Sequence, residues 1–228
     1  MSGPGTTQEH ALQHLRAEIV SGALRPGQRV AQEEMAEALG VSVAPVREAL
    51  RVLEQEGQVT YLPRRGYFVT ELRIEDLEEI YALRKLLEAQ AARRSLPALD
   101  PERLGEIAAA AQACTAAART GDVAAELAAN RRFHFAILTA PEQLHAMRLI
   151  RLLWDGTEAY RALYYNAPAE RAASVAAHDR ILAAIADRDA DRLVAELDAH
   201  RERALAFLRG VLAPARGVPG SAETVAAA

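Results

Sequence analysis

Along the first seventy residues, apolar positions recur at helical spacing in three short runs and then switch to a strand-like period. Leu12, Leu15 and Ile19 mark a first helix that Gly22 stops. A Pro-Gly turn in ALRPGQRVAQ leads into a short helix holding Met35, Ala38 and Leu39, with Gly40 as its C-terminal stop. Two residues later Ser42 is placed to cap a third helix, whose first turn tolerates Pro45. Val46, Ala49, Leu50 and Leu53 form its buried stripe, and Ala44, Arg47, Glu48 and Arg51 its outer face. Gly57 ends it, and QVTYL and GYFVTEL then read as two strands around the turn PRRG.

After about Leu72 the strand signals disappear. From Glu75 to Leu212 the pattern predicts six amphipathic helices, divided near SLPALDP, RTGD, TAPE, NAPAE and DRDAD. The expected fold is mainly α, with a winged helix-turn-helix over residues 1–72 and an all-α antiparallel helical bundle over 73–213. Residues 214–228, PARGVPGSAETVAAA, read as a loose tail. Aromatics make up only 5% of the chain while alanine is abundant, which favours packed helices over sheets.

Three helices followed by a basic-tipped hairpin suit DNA. A tight break between two helices sets them at a steep angle, so the second can project into a major groove. Arg47 and Arg51 then face bases or phosphates, and Arg64 and Arg65 on the wing reach backbone or minor groove. Arginines on a helix more often form a solvated face, and for Arg51 alone that reading is favoured. The grouping of Arg47 with the wing pair lifts the DNA reading above it. Net charge is −4, and residues 1–70 hold seven arginines against eight acids, so non-specific DNA affinity is expected to be modest. The single cysteine, Cys114, excludes an internal disulfide and reads as a small core residue. The N-terminal MSGPGTTQEHALQHL lacks a signal-peptide run, and no segment approaches a membrane span, so a cytoplasmic location is expected.

The run GVSVAPVREALRVLEQEG followed by RRGYFV resembles the N-terminal domain of GntR-family bacterial transcription regulators. The resemblance implies operator recognition by Ser42, Val43, Ala44, Arg47, Arg51, Arg64, Arg65 and Gly66. An arginine often occupies the place of Val43 in that family, whereas valine presents an apolar group to a thymine methyl. Arg47 retains the more widespread family arginine. A homodimer on an inverted repeat is expected, since a single short reading head gives little specificity.

In the helical half, three histidines point inward. His134 shares a face with Leu127, Asn130, Ile137 and Leu138, His178 with Ile181, Leu182 and Ile185, and His200 with Leu193, Leu197, Ala204 and Phe207. His178 and His200 are equidistant from residue 189 in the turn DRDAD, so an antiparallel hairpin places them at one height. A lone inward histidine is usually a hydrogen-bonded core residue. Three together, two of them level, favour a divalent metal such as zinc, nickel or manganese, with the Asn130 oxygen one turn from His134. Three histidines with an open position could also serve hydrolysis, but no inward acid stands out as a general base.

NRRFH, AHDRILAAI and ELDAH resemble the FCD effector domain of the FadR-type subfamily. That resemblance implies an all-α bundle binding a metal through one Asp and three His and sensing a small carboxylate. His134, His178 and His200 match directly, and Asn130 stands where the family has Asp. An amide oxygen is a poorer ligand than a carboxylate. Arg84 lies on the apolar stripe of Leu77, Ile80, Tyr81, Leu87 and Ala91, where the family pattern has an arginine that can face the ligand. An i,i+4 ion pair to Glu88 is the equal alternative. Tyr160, Tyr164 and Asn166 are weaker candidates for the cavity, and Trp154 and His145 read as packing or surface groups. The reading is a ligand-controlled transcription regulator, expected to be a repressor. Its rivals are a metal-dependent enzyme on a small organic acid with an accessory DNA-binding head, and a DNA-binding protein whose histidines are merely packed.

Overall fold

The computed structural model describes residues 6–140 and 142–212, so the tail expected from residue 214 lies outside the described residues. Helix α1 (Thr7–Ser21) opens on a capping box. The Glu9 backbone N–H donates to Thr6 Oγ1 at 3.2 Å, and the Thr6 N–H donates to the Glu9 carboxylate at 2.7 Å. Gly22 ends it in the left-handed region (φ 79°), as Gly40 (φ 65°) ends α2 (Gln32–Leu39). Helix α3 (Val43–Gln55) follows after three residues, and its stripe of Val46, Ala49, Leu50 and Leu53 is fully buried. Ser42 sits at the N-cap but makes no side-chain cap bond, so its exposed hydroxyl is left for other partners.

Strands β1 (Val59–Leu62) and β2 (Gly66–Val69) pair antiparallel with Val59 opposite Val69 and Leu62 opposite Gly66. Their connection has Pro63 at the second position, Arg64 at φ 64° and an Arg65 N–H to Leu62 carbonyl bond of 3.0 Å. These are the marks of a type II turn, in which the third position wants glycine. Leu15, Val46, Leu50, Leu53, Val59 and Val69 close one core beneath these elements.

The second core is helical throughout. Helix α4 (Ile74–Ser95) leads through a 3-10 turn (Leu96–Ala98) to α5 (Pro101–Thr120), α6 (Val123–Leu138), α7 (Leu144–Asp155), α8 (Glu158–Asn166), α9 (Pro168–Ala186) and α10 (Ala190–Leu212). Where the apolar pattern predicted one helix between TAPE and NAPAE, the chain forms two, parted at Gly156–Thr157. The break is compensated locally. Thr157 Oγ1 donates to the Leu153 and Trp154 carbonyls, and Arg161 Nη1 donates to the Trp154 carbonyl at 2.9 Å. A Cβ on Gly156 would stand 3.7 Å from the Glu56 carbonyl, so the break is also where the end of α3 meets the bundle.

The α9–α10 hairpin turns on Arg188, whose φ of 54° is uncommon for a residue with a side chain. Its guanidinium donates to the carbonyls of Leu96 and Leu99 at 2.7 and 2.8 Å, tying the hairpin to the turn after α4. Those charge-assisted bonds offset the backbone cost and fix the height of the two long helices. Cys114 is buried in the main core, and burial pushes its thiol up to about 12.

One acid is buried with only partial compensation. Glu126 on α6 is 1% exposed, its Oε2 has no partner, and burial pushes it up to about 7, with Arg171 offsetting only part. A folded-state pKa raised above the unfolded value stabilises the fold at low pH and loses that contribution as pH rises through it. Wild type is therefore expected to lose melting temperature relative to Glu126→Gln between about pH 4.5 and pH 7, the span from the ordinary to the raised pKa. A thermal-melt series in which the gap between the two proteins stays constant over that range would refute this.

Candidate DNA-reading face and buried effector site

The outer face of α3 and the hairpin enclose an open groove of about 740 Å³ bordered by Gln32, Arg47, Arg51, Tyr61, Arg64 and Gly66. Four of the expected reading residues thus share one concave surface. Arg47 is exposed, with only a long 3.4 Å contact to Gln32, while Arg51 pairs with Glu48 at 2.8 Å along its own helix. Ser42 and Ala44 are exposed at the start of α3, and Val43 packs partly against the core beneath. Arg65 stands outside the groove, its guanidinium 5.2 Å from the Phe68 ring centre and its carbonyl accepting from Arg29 Nε at 3.1 Å. Tyr61, Gln32 and Arg29 were not singled out from the sequence. Arg64 occupies a turn position that glycine would fill at lower cost, so strain is held where a guanidinium faces the groove.

Helices α6, α9 and α10 bring Asn130, His134, His178 and His200 together in the bundle. The ligand atoms of the three histidines all lie within 4.8 Å of one another. The His178 and His200 rings are 5.1 Å apart, as equal spacing from the turn requires, and His134 stacks on His200 at 5.3 Å. Asn130 Oδ1 lies 3.1 Å from His178 Nε2. Two ligands bonded at about 2.1 Å to one ion at a right angle stand roughly 3 Å apart, so this separation fits a shared ion as well as a hydrogen bond. Both ring nitrogens of His134, and Nδ1 of His178 and His200, are buried without a hydrogen-bond partner. Buried polar atoms are nearly always satisfied, and this donor set fits a divalent ion. Burial pushes His178 down to about 4. Burial and the neighbouring imidazoles and arginines hold His134 and His200 well below the usual range. All three are neutral at pH 7, the state a metal needs.

Beside them Glu88 is fully buried. Its carboxylate accepts from Arg84 Nε at 2.8 Å, Arg201 Nη1 at 2.5 Å and Trp154 Nε1 at 2.8 Å. Of the two readings of Arg84, the structure realises the ion pair. Burial alone would raise Glu88, but the charges of Arg84 and Arg201 outweigh it and hold the carboxyl below its ordinary value. Between this network and the histidines lies a cavity of about 30 Å³, bordered by Arg84, His134, Trp154, Arg161, His200 and Arg201. Trp154 is no mere packing group, since its ring stands 4.3 Å from the Arg84 guanidinium carbon, 4.4 Å from that of Arg161 and 5.2 Å from His134. Tyr164 borders the cavity, whereas Tyr160 accepts the Leu72 N–H at 2.6 Å, and His145 is exposed. Arg161 and Arg201 escaped the sequence reading, and Glu88 entered it only as the ion-pair partner of Arg84, although Arg161 stands on a tyrosine-rich helix face.

Removing Glu88 strands two buried guanidinium groups. Breaking a buried pair by deleting one partner costs about 3–5 kcal/mol. Glu88→Gln is expected to show a loss of that size in chemical denaturation, with the fold surviving in mild conditions. A loss under about 1 kcal/mol would mean that the two arginines find other partners.

Comparison with known proteins agrees with this geometry. Residues 7–69 match the gntR family of bacterial regulatory proteins, and residues 79–203 match the FCD domain. The HTH-type transcriptional regulator BphR of Paraburkholderia xenovorans is 32% identical over 211 residues, covering 88% of this chain and 84% of its own. YdhC of Bacillus subtilis, also described as an HTH-type transcriptional regulator, is 27% identical over 199 residues, covering 87% and 89%. The solved structure of Escherichia coli McbR/YncC superimposes with a TM-score of 0.78 at 27% identity, covering 91% of this chain and 99% of that one. These relatives are regulators, which decides against the metal-dependent enzyme. Among the described residues no helix is long and apolar enough to cross a membrane. The chain belongs to the gntR family of bacterial transcriptional regulators and carries an FCD domain behind its winged helix-turn-helix.

Proposed function

We propose that this regulator is a homodimeric, cytoplasmic repressor whose residues 1–72 read an inverted-repeat operator. Residues 73–213 bind a divalent metal together with a small carboxylate effector. The observation that carries the reading is the cluster of three neutral histidines with unpartnered nitrogens beside a cationic cavity. His134, His178 and His200, with Asn130, would hold the ion, which supplies a cationic coordination position for a carboxylate oxygen. The chain's own part is to keep the imidazoles neutral and level, to exclude water, and to surround the acid with Arg84, Arg161 and Arg201. Loss of a metal-binding histidine removes the site, while Asn130→Asp adds a charge and should tighten retention. Elemental analysis after loading with zinc, nickel or manganese is expected to find metal in wild type, more firmly held metal in Asn130→Asp, and none in His178→Ala or His200→Ala. Wild type that stays metal-free after loading refutes the metal and leaves packed histidines.

At the other end, Arg47 and Arg64 border the groove between helix and wing. A bidentate arginine–guanine contact is worth about 1–3 kcal/mol, and a dimer loses it twice. Arg47→Ala is expected to abolish tight operator binding in gel shifts with the dimer intact by light scattering. Arg65→Ala should weaken binding evenly across sequences and flatten the salt dependence. Arg64→Gly relieves a positive φ and should raise stability by up to about 1 kcal/mol while weakening DNA binding. Wild-type affinity in Arg47→Ala would overturn the assignment of α3, and unaltered DNA binding by Arg64→Gly would overturn that of the wing.

A further inference from the structure

Of the three arginines that border the cavity, two have a carboxylate and one has none. Arg84 and Arg201 share Glu88, and Arg201 also reaches Asp198 at 3.4 Å, an acid that pairs with Lys85 at 2.7 Å. Arg161 is 6% exposed, and among the described residues no carboxylate pairs with it. Its Nη1 donates to the Trp154 carbonyl, a 3.5 Å contact reaches Thr157, and its Nε has no partner. Burial pushes the guanidinium down to about 10 against the weak help of Glu158, the direction of a charge the fold does not neutralise. An unpaired buried cation is costly, so it stands where function supplies its counterion.

We propose that Arg161 is the anchor for a second anionic group of the effector, so that the cavity selects short organic dianions over monocarboxylates. The inference rests on the carboxylate reading above and names the ligand class. One carboxylate belongs at the His134–His200 end and the other at Arg161, whose planar fork suits a carboxylate in two-point contact. The same indole separates the two ends: His134 lies 5.2 Å and the Arg161 guanidinium carbon 4.4 Å from the Trp154 ring. With both ends set against one indole, the two anionic groups must be joined by a short chain, and malonate is the probe of that length. Neutralising Arg84 internally leaves it to shape the wall, and the unpaired charge on α8 sets the requirement.

The test is calorimetric titration of the full chain, zinc-loaded and metal-free, with acetate, malonate and malonamate. Malonamate has the shape of malonate with one carboxylate replaced by a neutral amide. Wild type should bind malonate roughly tenfold or more tighter than malonamate, since a hydrogen bond to a charged partner is worth at least that ratio. Arg161→Gln should bring malonate down to the level of malonamate while acetate keeps its wild-type affinity, and Arg161→Lys should fall between. Acetate binding shows that each variant is folded. A role confined to holding the Trp154 carbonyl would weaken all three acids alike, and that result overturns the proposal. Equal binding of malonate and malonamate by wild type overturns it too, without any variant, and leaves the carboxylate reading standing. Should no acid bind either form of wild type, the carboxylate reading fails and this inference with it.

Discussion

Glu88 is the group around which the helical half is arranged. A carboxylate with 1% exposure keeps its charge only when buried donors engage it, and here α4, α7 and α10 each contribute one: Arg84, Trp154 and Arg201. One charged atom pair thereby fixes the relative positions of three helices. It also orients the indole that forms the cavity wall and consumes the charge of the arginine the sequence put forward as the ligand contact. What is left over, Arg161, becomes the distinctive charge of the cavity.

Arg161 rides on the shortest helix of the bundle, and α8 has two sides. Toward the cavity it presents Arg161, Tyr164 and Tyr165. Toward the DNA-binding end, Ala159 packs against the core of the winged helix, and Tyr160 Oη accepts the Leu72 N–H where the wing passes into α4. Val20 of α1 packs on the cluster of Tyr164 and Tyr165. Any ligand that bears on Arg161 therefore bears on an element that touches the head at three points. An effector need only bind one arrangement better, and a tenfold preference is about 1.4 kcal/mol per site, comparable to a single such contact.

The winged helix was legible in the sequence because every boundary has a local cause. Gly22, Gly40 and Gly57 stop helices, and the switch of period after Gly57 has no other meaning. The level pair His178 and His200 was legible too, since a hairpin converts spacing into height. The split of α7 from α8 was hidden because the apolar pattern runs on through Gly156–Thr157, and what permits the break is Arg161 reaching back to the Trp154 carbonyl. The contacts of Glu88 beyond Arg84 were hidden for a related reason. An acid four residues after an arginine reads as a solvated surface pair until tertiary packing shows what else points at it. Arg64 shows a third kind of blindness, since PRRG announces a turn but not which residue takes the positive φ.

Asn130 gains meaning from this charge balance. A carboxylate at that position would bring a negative charge among three neutral imidazoles, two paired arginines and one unpaired one. The amide brings only a dipole, and its oxygen already meets His178 Nε2 at 3.1 Å. On the reading proposed above, a divalent ion among these residues adds positive charge to a site already in surplus, so an anion in the cavity would tighten its retention. By linkage the metal would tighten the acid by the same factor. A protein-borne Asp would loosen that coupling by neutralising part of the charge in advance. On the same reading, Asn130 would leave the rest of the neutralisation to the effector.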